Sequence, residues 1–343
     1  MSLLASTIDL AERAPLPDAA LRFGVKALVA NARRRLGSEA ADVEQAFARA
    51  MSDHPVALHT DEANAQHYEL PQEFFGLVLG PRRKYSSCLY GSATDTLAQA
   101  EVAALKETCV HADLKDGQEI LELGCGWGSL SLWMAETLPN ARIRSVSNSN
   151  SQRLYIEARA AELGLTNLKV ITADMNDFQT ERAFDRVVSV EMFEHMSNWR
   201  TLLERVHLWL RPNGRLFIHI FSHRSTPYRF DHRDDADWIG RYFFTGGIMP
   251  SHGLMRQFPD LFSVEADWVW NGRHYERTAL DWLANYDRHA SEIRGILRGV
   301  YGADAEVWFK RWRLFFLATA GLFGHRGGQE WAVSHYRLRP AAN

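Results

Sequence analysis

The chain has 343 residues, of which 46% are hydrophobic and 24% charged, enough apolar material for one large domain or two small ones. Its formal net charge of −3 gives no bulk electrostatic attraction to nucleic acid or to an anionic membrane, so neither is a predicted partner. The three cysteines form no C-x-x-C pair, which excludes a zinc knuckle or disulfide framework and indicates a reducing, cytoplasmic compartment.

The first 113 residues are predicted to form a helical N-terminal region. The stretch "DAALRFGVKALVANARRRL", which begins at Asp18, spaces apolar residues three and four apart and places arginines on the opposite face. Asp9 and Glu12 interrupt the apolar stretch that a secretory signal needs, so no secretion is predicted.

Short apolar runs alternate with helical periods over residues 114–222. The runs are "EILEL", "RIRSVS", "LKVITA", "DRVVSV" and "RLFIHIF", and each ends in a polar or glycine turn. This alternation is typical of βα units around a parallel sheet. The predicted fold class is therefore α/β, with a Rossmann-like core at 114–222.

The chain changes character after residue 222. Residues 223–326 begin with a polar, aromatic stretch that suits an insertion over one face of the sheet, and they continue through "FSVEADWVW" into helices. The apolar run "LFFLATAGLF" is about half the roughly 20 residues that span a bilayer, which predicts a buried helix. The last segment, 327–343, alternates as "EWAVSHYRLR" and is predicted to complete the sheet as a strand.

The first core strand runs into a glycine loop, "GCGWG". Gly124, Gly126 and Gly128 occupy every second position, and Glu122 stands two residues before the first of them. Glycines at a strand-to-helix turn let the backbone approach a ligand, and the next helix offers free N–H groups. The pattern differs from the dinucleotide fingerprint and lacks a P-loop lysine. It predicts a site for S-adenosyl-L-methionine, in which Glu122 would accept a hydrogen bond from the cofactor ammonium. The alternative is a tight turn that binds no ligand.

Polar residues also follow the next two strands. Asn148, Ser149 and Gln152 come after the second strand, where the cofactor ribose would lie. After the third strand, Asp174 could accept a hydrogen bond from the adenine amino group, and Met175 could pack on the adenine ring. Each loop alone could be an ordinary βα connection, but at successive strand ends they support a single cofactor site.

The stretch "EMFEH" follows the fourth strand and carries Glu191, Glu194 and His195. The i, i+3, i+4 spacing predicts that these side chains share one side of a helical turn beside the cofactor crevice. An alkylamine with a pKa near that of lysine is roughly one part in a thousand unprotonated at neutral pH, so a methyl acceptor of this kind needs a base. Glu194 and His195 are the candidates to accept its proton, and Glu191 to hold the ammonium or orient the histidine. The alternative is a helix start whose dipole attracts the carboxylates.

Several longer stretches resemble one enzyme family, the cyclopropane-fatty-acid-synthase-like S-adenosylmethionine-dependent methyltransferases. The resemblance covers residues 65–338 and implies a class I methyltransferase fold, with a Rossmann-like, mainly parallel sheet and an α-helical and aromatic insertion over the active site. It rests on these stretches: "HYELPQEFFGLVLGPRRKYSSCLY", "ILELGCGWGSLSLW", "VEMFEHM", "DDADWIGRYFFTGGIMPS", "NGRHYERT" and "EWAVSHY".

The resemblance also implies site residues. Tyr85, Ser86 and Glu191 would contact the cofactor. Aromatic faces favour both a sulfonium and an aminium, although any one aromatic residue could instead belong to the core. The substrate-binding residues implied in this way are Tyr68, Trp238, Tyr242, Phe243 and Phe244.

One position distinguishes subgroups of the family. Members that make cyclopropanes build a bicarbonate site from a cysteine, a glutamate, a histidine and a tyrosine. The last three would fall on Glu194, His219 and Tyr275 as catalytic residues, but Ser87 takes the place of the cysteine and Cys88 comes one residue later. This departure argues against cyclopropanation and favours the alkaloid-type members.

The leading prediction is an enzyme that N-methylates a small aromatic or hydrophobic amine. One alternative is a C-methyltransferase or cyclopropane synthase that modifies unsaturated acyl chains at a membrane, with "WFKRWRLFFL" in contact with lipid. Another is a sensor that binds the cofactor without chemistry. No metal is predicted, because "FEHM" lacks a second ligand at fixed spacing, and a homodimer stays open.

Overall fold

A mainly parallel seven-stranded sheet organises the molecule. The computed structural model describes residues 12, 16–36, 42–58, 70–180, 183–230 and 237–341. The strands are β1 (Glu119–Leu123), β2 (Arg142–Ser147), β3 (Leu168–Thr172), β4 (Phe184–Val190), β5 (Leu210–His223), β6 (Tyr228–Arg229), β7 (Ile248–Met249), β8 (Phe262–Trp270) and β9 (Trp331–Pro340). Strands β6 and β7 form a separate two-stranded sheet.

The large sheet has the strand order β3-β2-β1-β4-β5-β9-β8. Strands β1 to β5 run parallel, whereas β9 is antiparallel to both of its neighbours. Every residue of β1 is buried, as expected of a strand covered on both faces, which explains the unbroken run "EILEL". The strand order reverses between β1 and β4, and a crevice opens at the carboxyl ends of strands at such a reversal. The α/β prediction is confirmed.

Polar caps fix where several helices begin. Thr96, Ser149 and Asn198 each accept a hydrogen bond from a backbone N–H two or three residues into the following helix. The helices are α1 (Asp18–Arg35), α2 (Val43–Ala50), α3 (Gln72–Val78), α4 (Leu97–His111), α5 (Ser129–Thr137), α6 (Asn150–Glu162), α7 (Trp199–Trp209), α8 (Trp238–Tyr242), α9 (Arg273–Arg288), α10 (Ala290–Tyr301) and α11 (Ala305–Phe323).

The helices that precede β9 pack into an aromatic core. Trp282 and Tyr286 of α9 meet Trp312 and Phe316 of α11 there, and all four are buried. The apolar run of α11 is thus a buried helix, as predicted. None of the described helices is both long enough and apolar enough to cross a membrane.

Candidate active site

The loop after β1 is shaped by three glycines with positive φ. Gly124, Gly126 and Gly128 have φ of 78°, 51° and 77°, a region that side chains rarely adopt. A Cβ on Gly124 would lie 2.5 Å from Met192 Cγ, whereas a Cβ on Gly126 would meet no described atom within 4 Å. Gly124 and Gly126 line the central pocket.

Gly128 has a different role from the one that the sequence predicted. It stands at the start of α5, and a Cβ there would lie 2.6 Å from Ile156 Cγ1 of α6. Gly128 therefore permits close helix packing and is not part of the pocket wall.

Glu122, at the end of β1, lines the pocket and is almost completely buried. Its Oε2 accepts hydrogen bonds from Ser131 Oγ and, at 2.7 Å, from Ser145 Oγ. Burial raises the pKa of Glu122 to about 7, and the two hydroxyl donors oppose this shift. A nearby ammonium would favour the ionised carboxylate, so this position suits the aminoacyl end of the predicted cofactor.

The loops after β2 and β3 reach the same pocket. Ser147 Oγ donates to Gln152 Oε1 at 2.7 Å, and Gln152 Nε2 has no hydrogen-bond partner among the described residues. Ser149 is not part of the pocket wall, because its hydroxyl caps α6 by accepting from the Gln152 N–H. The predicted cofactor residues that line the pocket on this side are Asn148, Gln152, Asp174 and Met175.

The "EMFEH" stretch does not form the regular helical turn that its spacing predicted. Glu191 directly follows β4 with a φ of 46°, in the left-handed region, and a 3₁₀ turn spans only Phe193–His195. The Glu191 N–H donates to His219 O at 2.8 Å, which continues the β4–β5 pairing past the strand. As a result Glu191 and His195 line the pocket, whereas Glu194 is buried and not part of its wall.

The Glu191 carboxylate is held by residues from three distant parts of the chain. Its Oε1 accepts from the Ser87 N–H at 3.0 Å and lies 3.2 Å from His219 Nε2. Its Oε2 accepts from Tyr275 OH at 2.7 Å. Burial raises the pKa of Glu191, while the positive charge of Lys84 and the hydrogen bonds from Tyr275 and Ser87 oppose the shift.

Lys84 is a site residue that the sequence reasoning missed. It is 2% exposed, lines the pocket, and its Nζ donates to Ser86 Oγ at 2.5 Å and to Ser87 O at 2.6 Å. Burial lowers the pKa of Lys84, and the acidic groups of Cys88 and Glu191 oppose this. No local signal distinguished Lys84 from the two arginines that directly precede it in the sequence.

Burial shifts the pKa values of Glu194 and His195 in opposite directions. The pKa of Glu194 is raised well above its ordinary value by burial and by the neighbouring Glu191, so the protonated form is favoured. Glu194 Oε2 has no hydrogen-bond partner in the part of the chain that the structure describes. Burial lowers the pKa of His195 to about 4, so the ring is neutral at neutral pH; it stacks on Phe244 at 5.2 Å.

Of the aromatic residues that were predicted to bind substrate, Trp238 and Phe243 are buried in the core, and Tyr242 is partly buried against it. Phe243 is fully buried and stacks on Phe315 at 4.4 Å. Trp238 packs on Phe243 at 5.3 Å, and the Arg311 guanidinium lies 3.9 Å from the Tyr242 ring centre. These rings are removed from the pocket wall because α8 packs its aromatic residues against α11.

Of the other predicted site residues, two line the pocket and one contacts a residue of its wall. Tyr85 and Ser86 line the pocket, and Phe244 contacts it through His195. Tyr68 lies outside the described residues.

The central pocket fits S-adenosylmethionine. Residues from the carboxyl ends of β1, β2, β3 and β4 line it together, as a nucleoside-bearing ligand at the switch point of a parallel sheet requires. Four of the residues that line it carry a buried polar atom with no partner among the described residues: Thr108 Oγ1, Trp127 Nε1, Ser129 Oγ and Gln152 Nε2. Buried polar groups are normally hydrogen-bonded, and a ligand with hydroxyl and carboxylate groups would supply the missing partners.

Two of the solved structures that are similar to this chain differ in the strength of the match. The crystal structure of coclaurine N-methyltransferase bound to N-methylheliamine and SAH superposes with a TM-score of 0.94 at 29% identity, over 98% of this chain and 100% of that chain. The cyclopropane synthase MmaA2 from Mycobacterium tuberculosis superposes with a TM-score of 0.70 at 23% identity, over 82% and 98% of the two chains. The second match shows the fold alone.

Sequence comparison places the chain in a family. The family model described as mycolic acid cyclopropane synthetase matches residues 57–329. (S)-coclaurine N-methyltransferase from Papaver somniferum is 34% identical over 284 residues, 82% of this chain and 81% of that protein. Cyclopropane-fatty-acyl-phospholipid synthase from Escherichia coli strain K12 is 32% identical over 271 residues, 78% of this chain and 66% of that protein. The chain thus belongs to the mycolic acid cyclopropane synthetase family and is an S-adenosylmethionine-dependent methyltransferase.

Proposed function

We propose that this methyltransferase transfers a methyl group to the nitrogen of a small aromatic or hydrophobic amine, with Glu191 as the base. The observation that carries the proposal is the Glu191 carboxylate, which lines the pocket at the end of β4, next to the glycine loop of β1. The similarity to (S)-coclaurine N-methyltransferase supports an amine as the acceptor.

The glycine-loop side of the pocket would hold the cofactor. Glu122 would accept a hydrogen bond from the cofactor ammonium, and Gly126 would let the backbone approach the aminoacyl end. Gln152 would bind the ribose and Asp174 the adenine. When bound, S-adenosylmethionine supplies an electrophilic methyl group on a sulfonium. The acceptor nitrogen must then present its lone pair in line with that methyl, which requires loss of the ammonium proton first.

Burial decides which group takes that proton. A carboxylate whose pKa is raised becomes a stronger base, and an imidazole whose pKa is lowered becomes a weaker one. Glu191 is therefore better suited to accept the proton than His195, which the sequence analysis named as a candidate together with Glu194. Neutral His195 would orient the amine by a hydrogen bond. Glu194 lies behind the pocket wall and its protonated form is favoured, so we do not assign the proton to it.

We assign part of the substrate side of the pocket, beside Glu191, to the segment 223–326. Two of its residues reach the site: Tyr275 donates to Glu191 Oε2, and Thr245 lines the pocket. The core at 114–222 would carry the cofactor. This division explains how members of one family could keep the same cofactor half while they accept different substrates.

Modification of an unsaturated acyl chain is the second candidate, supported by the similarity to the E. coli synthase. Both candidates use the same cofactor, so the acceptor must be identified directly. The enzyme would be supplied with methyl-labelled S-adenosylmethionine and, separately, with a panel of secondary amines and with vesicles of unsaturated phospholipid. We expect labelled N-methylamine, and equal turnover for the matched surface variant Glu157→Gln. Label in the acyl chains and none in any amine would contradict the proposal.

A further inference from the structure

A line of three buried histidines joins Glu191 to the protein surface. His219 Nε2 lies 3.2 Å from Glu191 Oε1, and His219 Nδ1 lies 2.8 Å from His335 Nε2. His335 Nδ1 lies 2.7 Å from His111 Nδ1, and His111 Nε2 lies 3.0 Å from Glu107 Oε1. We call these five residues the histidine line. Both ring nitrogens of every histidine are engaged in it.

The sheet register builds the inner part of the histidine line. His219 of β5 and His335 of β9 are direct cross-strand partners in an antiparallel pair, whose side chains stand on the same face of the sheet. Both rings are fully buried, and Trp270 packs on His335 with ring centres 4.3 Å apart. Bulk water is thereby kept away from the contact between the two rings.

The outer end of the histidine line opens to solvent at α4. His111, the last residue of α4, stacks on Trp268 with ring centres 3.8 Å apart, and the Arg337 guanidinium lies 5.6 Å from the Trp268 ring centre. Glu107, one helical turn before His111, has a side chain that is 41% exposed. The line therefore begins in the pocket and ends at a carboxylate in contact with water.

A count of protons shows what the histidine line can hold. Its four contacts need one shared proton each, because two facing lone pairs repel at these distances. Three neutral imidazoles supply three protons, so one contact lacks its proton when both glutamates are ionised. One additional proton on Glu191 completes all four hydrogen bonds. Each member of the line then donates to the next one, in the direction from Glu191 to Glu107.

The charges around the line keep the rings neutral, as this count assumes. Burial lowers the pKa of both His219 and His335 well below the ordinary value, and the positive charge of Lys84 adds to the effect. Burial also lowers the pKa of His111, although the Glu107 carboxylate opposes the shift. A proton that enters the line would therefore pass from ring to ring rather than remain on one of them.

We propose that the histidine line carries the proton of the acceptor amine from Glu191 to Glu107 and into solvent. The proposal rests on the proposed function, because the amine is the source of the proton. The ammonium gives its proton to Glu191 Oε1 and keeps the N–H electron pair as the lone pair that attacks the methyl. The line then shifts one proton across each contact: Oε1 to His219 Nε2, His219 Nδ1 to His335 Nε2, His335 Nδ1 to His111 Nδ1, and His111 Nε2 to Glu107. Glu107 releases the last proton to water.

The line must then return to its starting arrangement, because each ring now carries its proton on the inward nitrogen. A proton that enters at Glu107 shifts every ring back and leaves Glu191 protonated. Glu191 loses this proton to water once the products have left and the pocket is filled by solvent. Protons thus move from Glu191 to Glu107 while substrate excludes water from the pocket. They move from Glu107 to Glu191 while the pocket holds no substrate.

Replacement of the exit carboxylate tests the path without touching a buried residue. Glu107→Gln keeps an oxygen that can accept from His111 but cannot take up the proton. With a strongly basic amine we expect the single-turnover rate to fall roughly 10-fold, less than the 10²–10⁴ expected for loss of a direct base. With a weakly basic amine that arrives unprotonated, the rate should match the wild type. Glu157→Gln, a similarly exposed helix glutamate, is the matched control. An equal loss with both amines, or no loss with either, would overturn the proposal.

A second measurement is independent of any amine. With ¹⁵N-labelled histidine, NMR reports the solvent exchange of the His219 and His335 ring N–H protons, which we expect to slow several-fold in Glu107→Gln but not in Glu157→Gln. Unchanged exchange in Glu107→Gln would rule out the path. If the wild type methylates no amine, the proposed function fails, and slowed exchange would still support the histidine line as a proton path to the pocket.

Discussion

The two halves of the pocket are built in different ways. The cofactor half depends on loops that directly follow successive strands: the glycine loop between β1 and α5, within residues 119–137, and the loops after β2 and β3. The acceptor half joins Lys84, Glu191, His219 and Tyr275, which are far apart in sequence. The first half is therefore set by local backbone geometry and the second by a buried cluster of charges.

This difference determines whether a substitution should affect only the contacts of the replaced residue or also the chemistry of neighbouring residues. In the cofactor half, Glu122 is held by two serine hydroxyls, so its replacement should affect only ligand binding. In the acceptor half, Lys84 and Glu191 shift one another's pKa, so a change in one should alter the chemistry of the other. The predictions below test this contrast.

The largest effect is expected at Gly126. Gly126→Val should weaken S-adenosylhomocysteine binding by about 100-fold or more, because the branched side chain would occupy pocket space and remove close backbone hydrogen bonds worth about 1.5–3 kcal/mol each. Gly164→Val is the matched control, since Gly164 also has a positive φ and open space around its Cβ but is not part of the pocket wall. Both variants should lose roughly 1–2 kcal/mol of stability from backbone strain. Calorimetry that finds equal affinity in the two variants would contradict the role of the loop.

A smaller effect is expected at Glu122. Glu122→Gln should weaken S-adenosylhomocysteine binding about 10-fold, because a charged hydrogen bond to the ammonium is lost. The ammonium should also lower the raised pKa of Glu122, so wild-type binding near pH 7 should release protons and variant binding should not. Calorimetry in two buffers of different ionisation enthalpy measures this release. An equal release by both proteins would remove Glu122 from the ammonium site.

A shift in pH dependence is expected at Lys84. The positive charge of Lys84 lowers the pKa of Glu191, so Lys84→Met should raise it. Activity that requires ionised Glu191 is lost as the pH falls through this pKa, and the acid limb of kcat should therefore move to higher pH in the variant. Lys115→Met, at an exposed position, is the control. If the acid limb of kcat does not move in a folded Lys84→Met protein, the charge of Lys84 does not influence the group that limits catalysis at low pH.

The smallest effect is expected from bicarbonate. Ser87 stands where the family resemblance implies the cysteine of a bicarbonate site. Its N–H already donates to Glu191, and its Oγ donates to Cys88 O. Removal of bicarbonate from the assay buffer should therefore leave turnover unchanged. Activity that disappears on depletion and returns on addition would favour the acyl-chain hypothesis.

The contrast between the halves also explains what the sequence could predict. The strands β1, β2 and β8 begin and end at the residues that the apolar runs indicated, and the glycine loop follows directly from local chemistry. Lys84 and His335 were missed because the importance of Lys84 comes from its charge near Glu191, and that of His335 from its contact with His219 across the β5–β9 pair. No local spacing reports such contacts.

The "EMFEH" stretch shows the same limit at shorter range. Its spacing fits a helical turn, but spacing alone cannot reveal that Glu191 adopts a φ of 46° before the 3₁₀ turn begins. That conformation is fixed by the Glu191 N–H bond to His219 O and by the groups that hold the carboxylate. The sequence therefore predicted the three residues, but it assigned their roles differently from the proposal made above.

The most direct test of the central claim is the single-turnover rate of Glu191→Gln, measured across pH together with S-adenosylhomocysteine affinity and melting temperature. If Glu191 takes the acceptor proton, the rate should fall roughly 10²–10⁴-fold while the cofactor still binds, because the lost interaction belongs to the transition state. Higher pH should restore part of the rate, since more amine then arrives unprotonated. Glu194→Gln and His195→Asn should lose less. A folded, cofactor-binding Glu191→Gln protein with wild-type turnover at every pH would contradict the account.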